Sequence, residues 1–150
     1  METMTKNETV TKQTKMVKFN GPKKDLVEIL NGLYATSDLS GKTFALACSR
    51  NIVIIKELLA DVEALAVPSK DFLELSEKVK QVQTDENSAE KIKALEEEVP
   101  EVVEARKAQL EAVNEMLAED VSIDLHSISE EALPEDIKSH QITLLNILIQ

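Results

Sequence analysis

The chain has 150 residues, 43 % of them hydrophobic but only 3 % aromatic, and a formal net charge of −11. A single cysteine excludes an internal disulfide framework, and no apolar run reaches the roughly eighteen residues that span a bilayer. Three glycines, none beyond Gly41, are too few for a fold rich in tight hairpins, and a core of Leu, Ile, Val and Ala suits helix packing.

Charge divides the chain before any element does. Residues 1–24 hold six Lys and two Glu, whereas the remainder holds eleven Lys/Arg and twenty-six Asp/Glu. The acidic body repels nucleic acid and anionic membrane. Residues 1–18 lack an apolar period and read as a flexible basic arm, followed by a single helical domain over 19–150. No apolar signal core stands at the N-terminus, so a cytoplasmic location is expected.

Asn20-Gly21-Pro22 reads as a helix start, and Leu26, Ile29, Leu30 and Leu33 give the first helix one apolar face to about Tyr34. Ser37, Asp38 and Ser40 are candidate caps for a second helix. Its seam is Phe44, Cys48, Asn51, Ile55, Leu58, Val62 and Leu65, and Ile52 to Ile55 predict wide burial at its middle. Pro68 predicts a break, after which Phe72, Leu75, Val79 and Val82 mark another helix.

Thr84 to Ser88 is a turn, and Asn87 with Glu90 matches a capping box. Ile92, Leu95, Val99, Val102 or Val103, Leu110, Val113 and Leu117 continue as a helix, with a kink or a junction of two helices at Pro100. Its seam is interrupted between Val103 and Leu110, where only Ala105 and Arg106 fall. Val121, Ile123 and Leu125 alternate with polar residues as a strand, which needs a partner around Val17–Phe19, elsewhere in the chain, or in another chain. The expected fold is therefore mainly α: a long antiparallel helical hairpin, a short N-terminal helix and a small extended segment near 121–125.

Chemistry is sparse. His126 and His140 have no second ligand at metal spacing, and Cys48 lies on an apolar helix face where a thiol acts as a small hydrophobe. Asp124 and His126 form an i, i+2 pair that reads as a surface histidine near a carboxylate, and Glu96 to Glu104 read as a solvated face. Gly41-Lys42-Thr43 lacks the upstream glycine and preceding strand of a phosphate-binding loop. No catalytic residue, cofactor or metal is expected. Asn51 either finds a buried partner and sets helix register, or meets water at the seam's edge.

The last nine residues carry six aliphatic side chains, too many to face one small core. They are core or a partner surface, with Ile142, Leu145, Leu148 and Ile149 as the candidate partner-binding residues.

Ser40-Gly41-Lys42-Thr43-Phe44, Arg50-Asn51, Val121-Ser122-Ile123-Asp124-Leu125 and Leu133-Pro134-Glu135-Asp136 together resemble small phage-encoded helical proteins of unknown function. That resemblance implies a structural or assembly role with protein partners, copies of the chain or virion components among them, in the host cytoplasm or the virion. It brings no catalytic residue with it. A second expectation, from charge alone, is an acidic decoy that inhibits a basic host nucleic-acid-binding protein.

Overall fold

The computed structural model describes residues 15–150, and the chain is mainly α-helical. Strand β1 (Met16–Pro22) leads into α1 (Lys23–Ala35), α2 (Lys42–Ala66), α3 (Lys70–Val82), α4 (Ser88–Glu98) and α5 (Pro100–Leu117). Strand β2 (Asp120–His126), a 3-10 turn (Glu130–Ala132), α6 (Ser139–Leu145) and a second 3-10 turn (Asn146–Leu148) complete the order. The chain divides into two compact units: 15–60 with 117–150, and 61–116.

In the first unit, β1 and β2 form a two-stranded antiparallel sheet in which Val17 pairs with Leu125, Phe19 with Ile123 and Gly21 with Val121. The alternation read for 121–125 thus meets the N-terminal segment, and Phe19 and Leu125 turn inward to 3 % and 0 % exposure. The helix start expected at Asn20–Pro22 is corrected: these residues remain in the strand, and Pro22, extended at φ −73 and ψ 151, immediately precedes α1. Proline is tolerated at the end of an edge strand and cannot extend the ladder. The strand also takes up Met16–Lys18 from the expected arm, whose residues 1–14 lie outside the described residues.

Helix α1 buries Leu26, Ile29, Leu30 and Leu33, the stripe its spacing predicts. Gly32 lets α1 approach α6 closely, since a Cβ there would stand 2.8 Å from Leu144 Cβ. The expected caps Ser37, Asp38 and Ser40 give way to Gly41 before α2: its φ is +120, a region that glycine alone enters without strain, and its carbonyl accepts from Ala45 N at 2.9 Å. Phe44, Cys48, Asn51 and Ile55 are buried on α2 as expected, but the stripe then passes through Leu59, with Leu58 only half-buried. Val53 is 57 % exposed, so the middle of α2 is not buried on all sides.

Gln141 closes this unit at the other end. Its Oε1 accepts from Lys138 N at 2.8 Å and its Nε2 donates to Ala35 O at 3.2 Å, fixing the start of α6 to the end of α1. The tail is pinned by a parallel bridge between Ile128 and Ile149, with Ile128 N donating to Leu148 O at 2.7 Å.

The second unit is built differently. Pro68 ends α2, and Ser69 Oγ caps α3 by accepting from Phe72 N at 3.1 Å. The capping box expected at Asn87 is absent: Asn87 lies in the left-handed region at φ 59, not the extended conformation a capping side chain needs, and makes no side-chain cap bond. At Pro100 two helices meet, with Val99 at φ −133 and ψ 60 closing α4 and Pro100 opening α5 where its missing N–H does no harm.

The interruption between Val103 and Leu110 has a structural purpose. Arg106 Nη1 donates to Ala66 O at 3.0 Å, and Gln109 Nε2 donates to Leu65 O and Val67 O at 2.6 Å each. Two polar side chains of α5 thus satisfy carbonyls at and just past the end of α2, where a cation also complements the helix dipole. The Arg106 guanidinium stacks 5.0 Å over the Phe72 ring.

Candidate functional site

Asn51 is fully buried at 0 % exposure, and its partner is the strand rather than another helix. Its Oδ1 accepts from His126 N at 2.7 Å and its Nδ2 donates to His126 O at 2.9 Å. One amide side chain therefore takes both polar groups of the last β2 residue, holding the strand end on α2. The reading of Asn51 as a helix-register residue is corrected to that of a strand anchor.

The strand end that Asn51 holds borders a cleft of about 390 Å³ in the first unit. Lys42, Thr43, Leu46, Ala47 and Arg50 supply one face of α2, and His126 and Ser127 supply the other wall. Burial, and then the nearby Arg50 charge, hold the His126 pKa below its ordinary value, which favours the neutral imidazole. Its Nδ1 is buried without a hydrogen-bond partner among the described residues. Cys48 is buried, and desolvation pushes its thiol up to about 11 against a bond with Thr36, which makes it inert as a nucleophile.

The second unit holds a groove of about 270 Å³ between α3, α4 and α5. Its apolar lining is Leu75, Leu95, Val99 and Val102, and its rim carries Asp71, Glu74, Glu98 and Glu101 with Lys78 as the single cation among the described residues. The spacings 71, 74, 75, 78 and 95, 98, 99, 102 place these side chains along one face of each helical segment. Glu98 and Glu101, read from the sequence as part of a solvated face, are rim residues of this groove. Residues 61–116 contain fifteen Asp/Glu and seven Lys/Arg, so they carry −8 of the chain's −11.

Of the two readings of the tail, core or partner surface, two of the four residues chosen as a partner surface fall in the core. Leu145 and Leu148 are at 0 % exposure, and Ile142 and Ile149 are half-buried. A fully buried side chain has no surface left for a partner, so Leu145 and Leu148 are corrected to core. The outward apolar pair of the tail is Leu144 and Ile147, at 38 % and 41 %.

Among the described residues, no three His, Cys, Asp or Glu side chains are grouped to hold a metal, and no helix is long and apolar enough to cross a membrane. No family model, curated protein or solved structure matches the chain.

Proposed function

We propose that this chain is a non-enzymatic protein-interaction module, a phage structural or assembly component of the kind its sequence pattern resembles, and that residues 61–116 dock its partner. The observation that carries this reading is the acid-rimmed apolar groove of α3, α4 and α5. A partner helix with apolar anchors and basic flanks would bury the half-exposed Leu95, Val99 and Val102 while its cations met Asp71, Glu74, Glu98 and Glu101. The net −8 of this unit adds attraction at longer range and disfavours acidic competitors.

The test is co-purification of the tagged protein from its source, followed by a high-salt wash, for the natural chain and for Leu95→Asp. A stoichiometric virion or assembly protein that survives the wash with the natural chain, and is lost with Leu95→Asp, is the expected result. Retention of the same partner by Leu95→Asp would remove the groove from the proposal.

The concentration of charge in 61–116 favours a second reading, the acidic decoy for a basic nucleic-acid-binding protein. Exposed charge pairs are screened within about 10 Å at 0.1 M salt, so such a partner dissociates in the wash, whereas an apolar interface persists.

A further inference from the structure

The groove leaves unused the cleft between α2 and the end of β2, in the first unit. Its lining is unusual for so acidic a chain. Lys42 and Arg50 both border it, and among the described residues no carboxylate does. Neither cation forms an ion pair among the described residues, although Lys23, Lys80 and Lys91 each do. Two exposed cations eight residues apart on one helix repel each other weakly, and a neighbouring carboxylate would relieve that repulsion. Here the space between them is a concavity of about 390 Å³ that holds no such group among the described residues.

The other lining residues define what fits. Thr43 offers a hydroxyl, and the neutral His126 ring carries one N–H. With its proton on Nε2, the buried and unpartnered Nδ1 is left with only a lone pair and the ring becomes a donor. Ser127 Oγ already donates to Lys15 O at 3.1 Å, so it adds no donor. Helix α2 begins at Lys42 and has no acidic residue in its first turn, so its positive end adds to the same field. Leu46 and Ala47 form an apolar floor between the two cations.

We infer that this cleft is a binding site for a small phosphate monoester, its phosphate held by Lys42, Thr43 and Arg50 and its apolar body laid on Leu46 and Ala47. Two cations match a dianion, and the donors of Lys42, Arg50, Thr43 and His126 outnumber the acceptor sites of one carboxylate. A phosphate, with three terminal oxygens, takes them up. Asn51 gives the site its rigidity, because its two bonds to the His126 backbone fix the wall opposite Arg50. The inference rests on the first unit alone and stands or falls independently of the groove.

The test titrates the isotopically labelled full chain with inorganic phosphate, phenyl phosphate and benzoate at constant ionic strength, followed by amide and imidazole chemical shifts. Saturable shifts confined to Lys42, Thr43, Ala47, Ser127 and the His126 ring are expected, with phenyl phosphate binding most tightly. Arg50→Gln, at an exposed position, keeps the fold and should weaken phenyl phosphate about tenfold or more, as the loss of a charge-assisted hydrogen bond does. Lys42→Gln provides a second, independent reduction. Shifts that are linear in concentration and spread over surface lysines such as Lys70 and Lys107 would overturn the site. Unchanged affinity in Arg50→Gln would do the same, and benzoate binding as tightly as phenyl phosphate would overturn the choice of a phosphate.

Discussion

The two units of this chain answer the same problem, how to bury an aliphatic helix face, to different depths. In the first unit Leu26, Leu33, Ile55, Leu125, Leu145 and Leu148 all reach 0 % exposure, as does Asn51, whose amide atoms are both bonded. Among the described residues of 61–116, three apolar side chains are buried, Val62, Leu75 and Val113, and none is below 6 %. Helix α4 buries no residue at all. The difference follows from composition: a unit with fifteen carboxylates cannot surround its apolar side chains on every side, so it leaves them along a groove. A deep core specifies one arrangement, whereas a shallow one leaves apolar surface for another molecule to cover.

The largest expected effect separates the units directly. Leu145→Asp places an unpaired carboxylate in a dry core and should destabilise the first unit by about 4 kcal/mol or more, measured by denaturant unfolding. Leu95→Asp, at a half-buried groove position, should cost about 1 kcal/mol in the same measurement. Equal losses would erase the contrast.

Asn51→Leu comes next. It removes two hydrogen bonds and strands the His126 N–H and C=O, a loss of about 2–4 kcal/mol that should also accelerate amide exchange at the end of β2. A more stable protein would show that the anchor contributes nothing. Gly32→Ala improves helix propensity by about 1 kcal/mol, yet its Cβ would meet Leu144 Cβ at 2.8 Å, so a net loss of about 1–2 kcal/mol is expected by thermal unfolding. In the second unit, Arg106→Ala removes the cap on Ala66 and the stacking on Phe72, and should cost about 1 kcal/mol while raising exchange within 61–116 only.

The smallest effects are in pH. The folded His126 pKa is lowered, so its contribution is complete above 6.5 and is lost as pH falls through the lower folded value. Unfolding midpoints should therefore drop on acidification below 6.5, less steeply in His126→Gln. For Cys48 the folded value is raised, so its contribution is complete below 9.0 and is lost as pH rises through about 11. Alkylation of the native thiol should be correspondingly slow near neutral pH.

The helices were legible because their apolar spacings are long and regular: Leu26 to Leu33 and Phe44 to Ile55 both form buried stripes. Strand β2 showed its period of two, but β1 did not, because Val17 and Phe19 are too few to establish an alternation without their partners Leu125 and Ile123. The caps supplied by Arg106 and Gln109 were hidden for another reason. They act on carbonyls about forty residues upstream, and such a pairing leaves no local signature beyond a gap in the apolar seam. Neither site was visible as a site. The cleft joins residues 42–50 to 126–127, and the groove joins α3 to the α4–α5 junction. In the tail, a nearly continuous aliphatic run concealed which face turns inward, so Leu145 and Leu148 were indistinguishable from Leu144 and Ile147.

The pairing of Pro22 with Asp120 has a thermodynamic consequence for everything between them. The sheet closes a chain segment that contains the whole of 61–116, and the entropy of closing such a loop grows only logarithmically with its length, about 0.6 kcal/mol for each doubling. Adding or removing whole helical turns within that segment therefore changes the equilibrium of the sheet little, provided that the chain still returns to Asp120. The same long separation slows assembly, because the strands must find each other across the intervening sequence before their contacts repay the search. The length of the segment 61–116 is thus a variable that can drift or be redesigned while the pairing of β1 with β2 stays the same.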